Sequence, residues 1–188
     1  TMTNDGNGID VAKHPEYDLW IPEMIFGHLR TSTNYDKKEK KIVGGKNGFG
    51  FKLVLIYSKW GMIETVDHIR KKKYTQRFDD NLGIIREPVI KSSSVKPYTK
   101  VTWLPDYQRF GIEKLTPTMF SLLKKRTYDV AAVTDKQVVV KFNGNTLPVR
   151  TFEQYINMYI GKNDQTTRVF EASKNGRWEY AVCLSPVD

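Results

Sequence analysis

One cysteine, three histidines and no long apolar run set the first limits on this chain of 188 residues. The lone thiol, Cys183, leaves no disulfide within the chain and argues against a zinc cluster. It fits a reducing compartment and, sitting in an apolar stretch, reads as an ordinary buried residue. His14, His28 and His68 fall at no metal-ligand spacing, and His-Glu-x-x-His does not occur. No apolar run approaches the roughly 20 residues of a membrane helix, so no membrane partner is expected. An initiator methionine and an apolar leader are also lacking. The chain enters "TNDGNG" almost at once and stops after the strand-like "RWEYAVCLS", so it reads as a piece of something longer.

What is present is enough for a core. The hydrophobic fraction of 39% alternates with charge throughout, which predicts one compact domain and part of a second rather than disorder. Lys plus Arg number 30 against 21 Asp plus Glu, a net charge of +9 that favours a polyanionic partner such as DNA, RNA or a nucleotide.

The periodicity changes along the chain. "DLWIPEMIFGHLRTSTN" reads as a short helix with Pro22 in its first turn. "FKLVLIYSKW" reads as a second helix with Leu53, Ile56, Tyr57 and Trp60 on one face. "MIETVDHI", "KKYTQRFDD" and "YTKVTWLP" alternate as strands. Thr116 and Pro117 open a helix, and "QVVVKFNGNTLPV" predicts a strand and an Asn143-Gly144 hairpin turn. Thr151 caps a helix that Gly161 stops, with Phe152, Tyr155 and Tyr159 as a core stripe. "RVFEAS" and "GRWEYAVCLS" close the chain as strands. This order predicts an α+β sandwich, not a doubly wound parallel sheet. The polar stretch at 161–167 is the expected boundary.

Glycine is locally dense in "IVGGKNGFGFKLVLIYSKWG", residues 42–61. A P-loop fails here, because Asn47 follows Gly45-Lys46 and Lys40 stands where the first glycine belongs. A dinucleotide fingerprint fails for want of a third glycine after Gly48-Phe49-Gly50. Close backbone approach, a following helix and Lys46 and Lys52 still suit an anion. On spacing alone, a tight loop before a buried helix fits equally well. A second glycine motif, "NDGNGIDV" at residues 4–11, sets a short side-chain acceptor beside two flexible glycines. Alone it reads more simply as a turn.

The two motifs in this order, with "FGHLRTSTNYD" between them, resemble the ATPase region of eukaryotic-type type II DNA topoisomerases. That family lies within the GHKL group of ATPases, alongside gyrase, heat-shock chaperones, mismatch-repair proteins and histidine kinases. "RTYDVAAVT", "VKFNGNTLPV", "F..YINMYI" and "RWEYAVCLS" resemble later family segments, so the likeness covers nearly the whole chain. It implies a Bergerat (GHKL) fold, a two-layer α/β sandwich on a mixed, largely antiparallel sheet. The ATPase domain would span 1–165, and a transducer domain would begin at 166–188.

The resemblance also implies roles. Asn4 would accept from the adenine amino group, with Gly6 and Gly8 clearing space for the base. Ser32, Thr33 and Asn34 would meet ribose and phosphates. The loop Gly45, Lys46, Asn47, Gly48, Phe49, Gly50, Phe51 and Lys52 would wrap the triphosphate, mostly through backbone amides. Several positions depart from the common pattern: Lys46 for Arg, Phe49 for Tyr, Phe51 for a small residue and Asp10 for Pro. Lys46 keeps charge but loses the bidentate fork. These departures suggest a divergent lineage such as that of a large cytoplasmic DNA virus. ATP and Mg2+ are the implied cofactors, and DNA and a second copy of the chain the implied partners. The general-base Glu and the magnesium-holding Asn would precede Thr1, and a transducer lysine would follow Asp188. No catalytic residue and no metal ligand is therefore expected within the chain, which should not hydrolyse ATP by itself.

Two other functions remain open at this level: another ATPase of the same fold, or a basic nucleic-acid-binding module without a nucleotide site. The runs at 37–41, 70–73 and 124–126 suit DNA contact or merely solvated faces. Asp79 and Asp80 read as a turn sooner than a metal pair.

Overall fold

Alternation in the stretch from residue 58 to 105 builds the central sheet. The computed structural model describes residues 1–29, 31, 47–162 and 167–184. Its elements run β1 (Met2–Asn4), α1 (Ile21–Gly27), α2 (Gly50–Ile56), β2 (Ser58–Val66), β3 (Lys72–Asp79), β4 (Ile84–Ile85), β5 (Val89–Ser92) and β6 (Tyr98–Pro105). They continue with α3 (Pro117–Val133), β7 (Lys141–Phe142), β8 (Asn145–Thr146), α4 (Phe152–Ile160), β9 (Arg168–Ala172) and β10 (Glu179–Cys183). Two compact units emerge, Thr1–Glu113 and Lys114–Asp188.

In the first unit the sheet order is β1-β6-β2-β3-β4, with β5 also on β3, and each of these pairings is antiparallel. On β3, Tyr74, Gln76 and Phe78 are buried while their alternate neighbours are less so, the period-2 signature of a sheet with one covered face. Helices α1 and α2 supply the cover. Phe26 and Leu55 pack with Ile63 and Phe78 into one cluster. Gly61 is needed there, because a Cβ would collide with Leu55 of α2. A polar tie adds to the packing. The Tyr74 hydroxyl donates to Gln76 Oε1 (2.7 Å), and Gln76 Nε2 donates to Glu23 Oε2 of α1 (3.0 Å) and to the Arg86 carbonyl (2.9 Å). Burial, with the nearby charges of Glu23 and Glu87, pushes the Tyr74 phenol well above its usual range.

In the second unit, Thr116 caps α3 by accepting from the Met119 amide, with Pro117 in the first turn. Thr151 caps α4 through the Gln154 amide, and Gly161 ends it at φ +73°. Strands β9 and β10 form the expected antiparallel pair. Arg168 of β9 reaches Asn157 Oδ1 and the Gly161 carbonyl (2.7 Å), tying the hairpin to α4.

Five expectations need correction. Among the described residues of the helix expected at 18–34, only α1 is helical, ending at Gly27. The second helix stops at Ile56, where Ser58 Oγ caps the Val54 carbonyl (2.6 Å), so Trp60 lies on β2 beneath the Arg77 guanidinium (4.7 Å). The three valines at 138–140 are not strand. Asp135 closes a turn on the Gln137 and Val138 amides (both 2.8 Å), which leaves only β7 and β8 around Asn143-Gly144. The α4 aromatics are not core. Tyr159 is 58% exposed, and the Tyr155 hydroxyl instead donates to Asp129 (2.6 Å), using its polar tip. Cys183, too, is only half-buried.

Candidate functional site

Residues 5–11 form a loop pinned to the β2–β3 corner. Asn4 ends β1 opposite Thr99, and its Oδ1 accepts from the Gly6 amide (3.3 Å). Gly8 has φ +75°, and a Cβ on it would overlap the Val66 carbonyl, so only glycine fits. The Ile9 amide donates to Thr65 Oγ1 (3.0 Å), which also lies 2.9 Å from Thr99 Oγ1. His68 donates its amide to the Asn7 carbonyl (3.2 Å).

Asp67 fastens this corner, and sequence reading did not single it out. Its side chain is fully buried. One oxygen accepts from the Val11 amide (2.9 Å) and Arg70 Nη1 (2.9 Å), the other from the amides of Ile69 (2.8 Å) and Arg70 (3.0 Å). Desolvation alone would raise its pKa. The bonds from Val11, Arg70 and Ile69 outweigh it and hold the carboxyl well below the usual range. Arg70 also reaches Asp10 (3.3 Å), one of the departures noted above, and its pKa is raised chiefly by the bond to Asp67. An acid directly after a strand, three residues before the basic run at 70–73, is a sequence sign of such an Asx turn.

The glycine loop is described from Asn47. Gly48 has φ +67°, and Gly50 begins α2. Phe51 sits edge-on to Phe26 (4.9 Å between centroids) and to Trp103 (6.4 Å). Lys52 is only 2% exposed, and its ammonium donates to Thr31 Oγ1 (2.7 Å), which donates in turn to the Met24 carbonyl (3.1 Å). Desolvation lowers the Lys52 pKa. A cation so buried is stabilised by an anionic ligand. Ser32, Thr33, Asn34, Gly45 and Lys46, and the basic run at 37–41, lie outside the described residues.

The two glycine motifs meet on one core. Ile9 from the first and Phe51 from the second both pack against the cluster of Phe26, Leu55, Ile63 and Phe78. Motifs some forty residues apart in sequence thus share the helix-covered side of the sheet. Among the described residues, no group of three His, Cys, Asp or Glu is placed to hold a metal ion. Asp79 is engaged by Arg77 (2.8 Å) and Arg86 (2.9 Å).

Known proteins share this fold. The chain is 44% identical over 188 residues to DNA topoisomerase 2 of Acanthamoeba polyphaga mimivirus, a match covering 100% of the chain and 15% of that relative. The crystal structure of the ATPase region of Saccharomyces cerevisiae topoisomerase II superimposes with a TM-score of 0.84 at 40% identity, covering 92% of this chain and 46% of that one. The 43K ATPase domain of Thermus thermophilus gyrase B matches at a TM-score of 0.52 and 24% identity, over 70% of this chain and 30% of that one, a likeness of fold. No protein-family model matches. The chain therefore spans about a seventh of the viral relative and under half of the yeast ATPase region.

Proposed function

The chain is homologous to the ATPase region of type II DNA topoisomerases and shares its GHKL-type fold, and from that premise we propose that its two glycine motifs cradle ATP in an enzyme that passes one DNA duplex through another. The observation that carries the reading is the convergence of Ile9 and Phe51 on one core, with the buried ammonium of Lys52 in the second motif.

In this reading Asn4 Oδ1 accepts from the adenine amino group. An amide oxygen has two acceptor sites, so the bond from the Gly6 amide leaves one for the base. Gly6 and Gly8 keep side chains away from the ring. Ser32, Thr33 and Asn34 address ribose and phosphates, and the backbone from Gly45 to Gly50 wraps the triphosphate. Lys46 and Lys52 neutralise phosphate charge, and the poor solvation of Lys52 makes that attraction stronger than it is in water. Phe51 fixes the loop to the core in place of the small residue more usual in the family. The described residues offer no cage for magnesium. Such an ion would arrive on the triphosphate, as Mg2+ commonly does.

ATP binding then closes a gate formed by two copies of the protein around a DNA segment, and hydrolysis resets it. The transducer is taken to begin at residue 166. Relaxation of supercoiled plasmid by the full-length protein tests the proposal. Relaxation only in the presence of ATP is expected, and equal relaxation without nucleotide would overturn it.

A further inference from the structure

One hydroxyl joins three parts of the site. Thr31 Oγ1 lies 2.7 Å from the Lys52 ammonium, 3.1 Å from the Met24 carbonyl and 3.4 Å from the His28 carbonyl. An ammonium has donors only, so Thr31 accepts from Lys52 and has its single proton left to give. That proton goes to the last turn of α1 at Met24, or to the residue that caps it, His28. Donation thus runs from Lys52 of α2 through Thr31 to the end of α1. Thr31 is also the residue directly before Ser32, where the segment assigned above to ribose and phosphates begins.

The lysine needs such a hold. A lysine side chain is a point charge on a flexible four-carbon stem, so its position is set only by what its head bonds. Lys52 is buried, and desolvation lowers its pKa. Among the described residues no carboxylate pairs with it, so a hydroxyl oxygen stabilises the charged form where no anion does. We propose that Thr31 is a positioning residue of the nucleotide site: its hydroxyl holds the Lys52 ammonium, charged and in one place, for the phosphates. Thr31 acts through Lys52 and needs no contact with the nucleotide. The assignment rests on the nucleotide reading above and adds a residue to it.

Calorimetric titration of the full-length protein with a non-hydrolysable ATP analogue tests this. The proteins compared with wild type are Thr31→Val, Thr31→Ser, Lys52→Met and the double variant Thr31→Val/Lys52→Met. Thr31→Val keeps the shape and removes the hydroxyl. It should weaken binding at least about tenfold, the scale of a hydrogen bond to a charged group. Thr31→Ser restores the hydroxyl and should recover most of the loss. In the Lys52→Met background the Val substitution should change affinity by no more than about twofold, because the group it acts through is gone. Melting temperatures report folding, and Thr31→Ala replaces a Val form that does not fold. Wild-type affinity in Thr31→Val, no recovery in Thr31→Ser, or an equal loss with and without Lys52 would each overturn the assignment. Failure of the nucleotide reading has a different signature: the wild type itself would not bind the analogue, and both readings would fall together.

Discussion

Replacing Asp67 by Asn keeps the shape of the side chain and removes its charge and half of its accepting capacity. The new amide nitrogen is a donor, and four donors already face the position. The Ile69 and Arg70 amides lie near the surface, where water can replace the lost partner. The Val11 amide cannot be rescued so easily, because Val11 is 1% exposed. Leaving that donor unsatisfied costs about 1–3 kcal/mol. With a urea slope of about 2 kcal/mol/M, the unfolding midpoint should fall by about 0.5–1.5 M. Acid sharpens the test. The folded carboxyl titrates below the unfolded one. Its contribution is therefore fully present above the unfolded value of about 3.9 and is lost as pH falls through the folded value. Wild-type stability should drop through that acidic window, and the Asn variant should drop less steeply. A midpoint within about 0.2 M of wild type, with an unchanged acid profile, would refute the view that Asp67 fastens the loop.

Other perturbations separate causes. Gly8→Ala meets both a positive φ and the Val66 carbonyl, whereas Gly144→Ala meets only a positive φ in open space. The first should destabilise by more than about 2 kcal/mol and the second by about 1 kcal/mol, read from chemical denaturation; equal losses would dismiss the backbone clash. The Tyr155 phenol is pushed up to about 12, chiefly by its hydrogen bond to Asp129. Asp129→Asn should bring its ionisation, followed by ultraviolet absorbance, back toward about 10. An unmoved midpoint would show that the Asp129 bond does not form in solution.

Local signals were legible where one residue decides the structure. Thr116 and Thr151 as caps, Gly161 as a stop and Asn143-Gly144 as a turn each needed only near neighbours. The alternation of 72–79 was equally plain. Trp60 misled because Leu53, Ile56, Tyr57 and Trp60 satisfy helical spacing, although the helix ends inside the pattern. The valines at 138–140 favour strand, but the Asp135 turn overrides that propensity. The stripe on α4 has core spacing without core burial, since spacing reports a face and not what covers it. In the site, the two glycine motifs were readable because each is contiguous. The Asp67 clamp was not, because it joins residues 56 apart whose meeting depends on the sheet.

Binding of a non-hydrolysable ATP analogue to the full-length protein, measured calorimetrically beside its Asn4→Ala and Gly48→Val forms, tests the nucleotide cradle most directly. Tight binding by the wild type and a loss of at least about tenfold in each variant, about 1.4 kcal/mol, is the expected result. Unchanged affinity in both variants would contradict the cradle.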